Sequence, residues 1–334
     1  MADSGARSAR FAHVRCPWLS RIRCRATSGR TLPFVATDSK RLIILALIAN
    51  GCIAVTKFVA AFISGSAAML AEAFHSVADT GNQLFLLRGD AVSRYAATTT
   101  HPFGRGKAMY FWSFMVAVVL FVGGAALSIW NGFQRILHPG DGHGDGLVFS
   151  LVVLAISAVF EIGLALVPAI RQFNKIRGSK GAWRMIKESK DSALIIVIFE
   201  DTAAAVGLAI AAIGLILADL TENAFWDGLA SVLIGVLLAS VAMVIAYEMN
   251  SLLVGESASR RDRTSIRLGI LSVDEVHHVE RLLTMQLAVH EILVTADVAF
   301  DEGEDEVQAI RKVEASIIEA CPDAKQIFIE PVAR

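Results

Sequence analysis

The chain has 334 residues, four cysteines, 31 Lys and Arg against 32 Asp and Glu, and a formal net charge of −1. It is 54% hydrophobic and only 19% charged, whereas soluble domains carry about a quarter charged residues. This balance excludes a largely disordered chain, a collagen-like repeat and a disulfide scaffold, and the near-zero charge argues against a nucleic-acid binder. What remains is an α-helical membrane protein with a soluble portion.

Residues 1–38 are rich in Arg (Arg7, Arg10, Arg15, Arg21, Arg23, Arg25, Arg30) and carry Asp3 as a near-lone acid. Such a composition fits a transit peptide or a disordered basic tail; we read a disordered tail. Cys16 and Cys24 lack the spacing of a metal knuckle. Between 39 and 254, six stretches have the roughly 20 mostly apolar residues needed to cross a bilayer. They cover about 42–64, 66–88, 110–134, 147–170, 192–217 and 226–253.

Basic residues alternate between the connections. Arg88, Arg94, Arg105 and Lys107 follow the second stretch. Arg171, Lys175, Arg177, Lys180, Arg184, Lys187 and Lys190 follow the fourth, and Arg260, Arg261 and Arg263 follow the sixth. The connections HPGDGHGDG and ADLTENAFWDG have neither Lys nor Arg. Because Lys and Arg stay on the cytoplasmic side, both termini are expected in the cytoplasm.

From about 255 the composition turns soluble. VERLLTMQL (279–287), ILVTADVAF (292–300) and QIFIEPV (326–332) read as strands. Val307, Ile310, Val313, Ile317 and Ile318 recur at helical spacing. Residues 255–334 are therefore expected to form a small cytoplasmic α+β domain. No phosphate-binding loop or nucleophile elbow appears in a strand–turn–helix setting, so no enzymatic activity is expected.

The polar interruptions of the apolar stretches carry the functional information. An ionisable group in the bilayer costs roughly 2.5–3.5 kcal/mol on insertion scales and tends to mark an ion path. His75 and Asp79 are spaced i, i+4, which puts both on one helix face. His75 lies about nine residues, or roughly 14 Å, into the second stretch, and Asp201 lies as deep into the antiparallel fifth. Both reach the midplane, where secondary transporters hold their substrate.

Imidazole with carboxylates suits Zn²⁺, whereas carboxylates alone lean toward Mg²⁺ or Mn²⁺. The candidate metal ligands are His75, Asp79, Asp201 and, as a fourth, Glu200, with Asp201 preferred over its neighbour. Glu200 sits about 100° around the helix from Asp201, as a supporting or proton-carrying group. Lys57 and Glu161 read as a possible internal pair. Glu72 reads as a vestibule residue, and Asp191 and Asp227 as caps of their own helices.

The sequences SGSAAMLAEAFHSVADTGNQLFLLRG (64–89), HPFGRGKAMYFWSF (101–114) and WDGLASVLIGVLL (226–238), with the terminal α+β segment, resemble the cation diffusion facilitators, a zinc-transporter family, over about 40–334. The resemblance implies six helices, cytoplasmic termini, a small ferredoxin-like or metallochaperone-like domain and a homodimer. It also implies exchange of Zn²⁺ or a similar ion for protons, with no organic cofactor.

The family carries a second ligand pair on the fifth span. Anchoring on Gly207 places its Asp at Asp201 and its His at Val197, which cannot ligate. FEDTAAAVG (199–207) is instead similar to a branch that includes a mitochondrial zinc transporter. A further family site falls on Thr98, His101 and Arg105, a poor cation site. In the terminal domain His277, His278 and His290 are available, although TADV (295–298) stands where a ligand His is common. The resulting expectation is a proton-coupled exporter of a divalent cation, foremost zinc, in the inner membrane if the source is bacterial. The rivals are a manganese, iron or cobalt transporter of the same fold, and a non-transporting metal-responsive membrane scaffold.

Overall fold

The computed structural model describes residues 37–138, 146–177, 181, 192–301 and 305–333. The expectations for the basic tail, and for most of the Lys- and Arg-rich connection at 171–190, lie outside these residues.

Helices occupy all six apolar stretches. They are α1 (Thr37–Ser64), α2 (Ala67–Ser93), α3 (Ala108–Leu137), α4 (147–177), α5 (Ser192–Thr221) and α6 (Phe225–Val254). Two of them widen locally into π-helical turns, α3 at Leu120–Ala126 and α4 at Glu161–Leu166.

Four helices, α3 to α6, contain stretches long and apolar enough to cross a membrane. In α1 the apolar stretch that qualifies by composition is the shorter Asn50–Ser64. α2 falls short of the expected crossing because Glu72, His75 and Asp79 interrupt its apolar run. Its packing is nevertheless inverted relative to a soluble helix. Glu72, His75, Ser76 and Asn82 are buried while Val77 and Leu84 are exposed. Phe62, Val148, Val159 and Tyr247 are likewise exposed on other helices, as befits faces turned to an apolar solvent.

α3 and α6 approach through small residues. A Cβ on Gly132 would lie 2.6 Å from the Gly228 carbonyl oxygen, and one on Gly235 would lie 2.8 Å from that of Ala125. The Ser231 hydroxyl donates to the Ser128 carbonyl at 2.8 Å. Lipid offers no hydrophobic drive for helices to associate, so such close backbone packing is a principal source of adhesion.

Asp227, expected to serve its own helix, caps α2 instead. Its carboxylate accepts from the Ser66 hydroxyl at 2.5 Å and from the Ala67 and Ala68 amides at 2.7 and 3.2 Å. The positive end of α2 attracts the carboxylate. Gly65, at φ +62°, turns the chain from α1 into this cap.

Gly255, at φ +129°, ends α6. Beyond it come α7 (Arg260–Leu271), β1 (Val276–Ala288), β2 (Glu291–Phe300), α8 (Glu306–Ala320) and β3 (Ala324–Val332). The sheet has order β1-β2-β3, with β1 antiparallel and β3 parallel to β2. Ile292, Val294, Ala296 and Val298 alternate inward and pack with Ile266 and Ile270 of α7 and Val313 and Ile317 of α8.

The three strands and α8 stand where the sequence pattern places them. α7 was not expected, because its buried apolar signal is brief, Ile266 and Ile270. Its start is nonetheless marked by Ser259, whose hydroxyl accepts from the Asp262 amide. Lys312 of α8 hydrogen-bonds Glu275 and holds that carboxyl below the usual carboxylate range. The loop before α3 meets the sheet, since a Cβ on Gly106 would lie 2.7 Å from the Leu287 carbonyl oxygen.

Gly132→Val is expected to force α3 from α6 and lower stability by about 1–3 kcal/mol. Gly51→Ala, which meets nothing within 4 Å, is expected to be neutral or slightly stabilising. Thermal unfolding of the detergent-solubilised chain compares the two, and equal midpoints would refute the close-packed seam.

Candidate metal centre

The inward face of α2 is a polar ladder. Glu72, His75, Asp79 and Asn82 recur at spacings of three and four, so they rise along one face. Glu72, His75 and Asn82 are fully or almost fully buried, and Asp79 is about one-fifth exposed. The His75 Nδ1 lies 3.6 Å from Asp79 Oδ1, within electrostatic contact but beyond a hydrogen bond.

α2 packs on α5, and the carboxyls of Asp79 and Glu200 lie within hydrogen-bonding reach of each other. Two carboxyl groups share a hydrogen bond only when one of them holds a proton. Asp201 lies within electrostatic reach of Asp79. The structure therefore brings together acidic groups of the second and fifth helices, but it is Glu200 whose carboxyl meets that of Asp79. Among the described residues no three His, Cys, Asp or Glu side chains converge closely enough to cage an ion.

Many polar atoms here lack a hydrogen-bond partner. They include both ring nitrogens of His75, the Ser76 hydroxyl, Asp79 Oδ1, both amide atoms of Asn82, Gln83 Oε1, Glu200 Oε1 and Asp201 Oδ2. Each buried orphan costs on the order of 1–3 kcal/mol. A file of them along one helix face marks a place where water, protons or an ion supplies the missing partners.

Beside this ladder lies a buried ion triad. The Lys57 ammonium is 3.1 Å from Glu72 Oε2 and 2.9 Å from Glu161 Oε1. The Lys57–Glu161 pairing matches the sequence expectation. Glu72 does not stand in a vestibule, because the ammonium holds it fully buried. Gly207 of α5 makes room for it, since a Cβ there would lie 2.5 Å from Glu72 Oε1. Phe58 and Phe74 meet edge-to-face with centroids 5.6 Å apart, a second tie between α1 and α2. The signal for Glu72 was present in the sequence: it precedes His75 by three residues and so shares its face.

Neither the further family position, read as a poor cation site, nor the histidines of the terminal domain group three potential ligands among the described residues. His101 is exposed and its ring meets the Thr100 hydroxyl at 3.0 Å, while Arg105 lies over the Tyr95 ring. In the terminal domain His277 faces Asp301 and His278 faces Glu280, with the two imidazoles edge-to-face at 5.3 Å, and His290 faces Asp323.

Comparison with known proteins gives a family match. The profile of the cation efflux transmembrane domain matches residues 43–254. The mouse (Mus musculus) protein named "Proton-coupled zinc antiporter SLC30A9, mitochondrial" is 31% identical over 263 residues, which is 78% of this chain and 46% of that protein. Metal tolerance protein C4 of Arabidopsis thaliana is 32% identical over 248 residues, 72% of this chain and 53% of its own. The manganese efflux system protein MneP of Bacillus subtilis is 22% identical over 284 residues, 82% and 90% of the two chains. The chain thus spans about half the length of the first two relatives.

Asn82→Leu replaces two orphaned amide atoms by an apolar group of similar volume. The thermal midpoint in detergent is expected to stay level or rise, because no hydrogen bond is lost. A drop of several degrees would show that the amide is satisfied in the folded state.

Proposed function

The chain belongs to the cation efflux family, and from that premise we propose that it is a proton-coupled antiporter moving zinc out of the cytoplasm. Family members carry metal cations across membranes and are not enzymes. In this reading the chain crosses the membrane six times with cytoplasmic termini, and its sheet domain pairs two protomers. His75 and Asp79 bind the ion together with a carboxylate of Glu200 or Asp201.

The observation that carries the reading is the close Asp79–Glu200 carboxyl pair beside an unpartnered imidazole. Zinc needs neutral imidazole and ionised carboxylates, so protons and metal compete for the same atoms. A proton held between Asp79 and Glu200 closes the pair to metal. Loss of that proton turns both carboxylates into ligands and leaves His75 as the nitrogen donor. Ion and proton then occupy the pair alternately, which is the requirement for exchange. Rocking of the helices around a fixed midplane position changes which side has access. The imidazole favours zinc over manganese. The carboxylate excess, together with the manganese efflux relative, keeps manganese as the second reading.

In proteoliposomes with an imposed pH gradient, wild-type protein is expected to move zinc against the proton flow. His75→Ala and Asp79→Ala are expected to reduce that flux at least about a hundredfold, as loss of one ligand of a small site does, with thermal unfolding still cooperative. Flux undiminished in Asp79→Ala would overturn the proposed site. Manganese flux exceeding zinc flux in the wild type would favour the second reading.

A further inference from the structure

Lys57 is the one fully buried Lys or Arg among the described residues. Its ammonium bridges Glu72 of α2 and Glu161 of α4. Its field also reaches His75 and Asp79, and that of Glu161 reaches Asp79 and Asp201. The triad and the proposed metal ligands therefore form one electrostatic cluster. It holds five carboxyl groups, Glu72, Asp79, Glu161, Glu200 and Asp201, against one permanent cation. Buried carboxylates without a counter-charge are strongly unfavourable.

Glu161 opens the π-helical turn of α4, Glu161–Leu166, and its second oxygen has no hydrogen-bond partner. This carboxylate is bound to Lys57 on one side and unsatisfied on the other. π-turns inside helices are frequent at functional positions.

We propose that Lys57 is a tethered counter-cation that offsets the acidic cluster while no ion is bound and repels the ion once it is, so lowering the affinity of the site. The inference rests on the transport reading above. It differs from a purely structural role, in which the ammonium only fastens α1 to α2 and α4. A dication arriving near His75 and Asp79 meets the like charge of Lys57 across a dry, low-dielectric interior, where such repulsion is much stronger than in water. An antiporter benefits from this, because an ion held too firmly is not released. Lys57 contributes no ligand atom, and acts as a positioning and affinity-setting residue through Glu161 and the field.

The test is zinc binding to the purified full chain in detergent, followed by competition with a chromophoric chelator, for wild type, Lys57→Arg, Lys57→Met, Glu72→Gln and Lys57→Met/Glu72→Gln. The double variant removes the ammonium together with one of its two partners, so that it folds even where the single variant does not. Because it loses one positive and one negative charge, it is compared with Glu72→Gln, which keeps the ammonium: the double variant is expected to bind zinc about tenfold tighter than Glu72→Gln or more, and to turn over more slowly in proteoliposomes. Lys57→Arg, which keeps the charge, is expected to retain an affinity near that of wild type. Binding by the folded double variant no tighter than by Glu72→Gln, beside a wild type that binds zinc, would overturn the counter-cation role and leave the transport reading standing. A wild type that binds no zinc would overturn the transport reading, and this proposal with it.

Discussion

A polar side chain on a helix surrounded by hydrocarbon is stable only when it turns inward and finds a partner. α2 is organised by that constraint. Val77 and Leu84 face outward, while Glu72, His75, Ser76 and Asn82 face inward among alanines. Partners must then come from neighbouring helices, and they do so unevenly. Glu72 meets Lys57 of α1, the Asp79 carboxyl lies beside that of Glu200 of α5, and the buried Asn82 amide has no hydrogen-bond partner among the described residues. The charge pairs around Lys57 tie α1, α2 and α4 to one another, although Glu72 Oε1 and Glu161 Oε2 stay unpartnered, and further along α2 the polar atoms from His75 to Asn82 lack partners too. The unsatisfied part is where a cation or a proton-carrying water gains most by arriving.

The mechanical design divides along similar lines. α3 and α6 touch backbone to backbone at Gly132, Gly228 and Gly235, and dense contact of this kind tolerates little relative movement. The Asp227 cap binds the start of α2 to the start of α6 through three hydrogen bonds. α3 and α4 both contain a π-turn, but that of α4 begins at a charged residue, Glu161, whose carboxylate is shared with Lys57. A π-turn is a local misfit in the hydrogen-bond ladder that can relax.

Much of this was legible in the sequence. Apolar runs located all six long helices, and alternation located the three strands, because both signals come from burial periodicity. The i, i+4 spacing placed His75 and Asp79 on one face without any tertiary information. Three features were not legible, each for a physical reason. Glu200 and Asp201 are adjacent, so depth alone does not decide which of them turns to Asp79; the packing angle of α5 does. Asp227 lies in the first turn of α6, and local sequence cannot reveal that the helix start nearest its carboxylate belongs to α2. Glu72 looked peripheral because its depth was judged along α2 alone, whereas its burial depends on Lys57 from another helix and on the missing side chain at Gly207.

Gly207 illustrates how a single absent Cβ links these levels. Were a methyl group present, Glu72 Oε1 would have to leave the surface of α5. Its other oxygen would then move from Lys57, and Glu161 would hold the ammonium alone. Glu161 and Lys57 both act electrostatically on Asp79. A change in backbone clearance on α5 is thereby transmitted as a change in charge balance at the polar ladder of α2. The coupling requires no long pathway, because a low-dielectric interior carries the field of a displaced charge over several ångströms with little screening. In such a cluster, packing and electrostatics are one variable, and no charged residue can be assigned a role without the small residues that set its position.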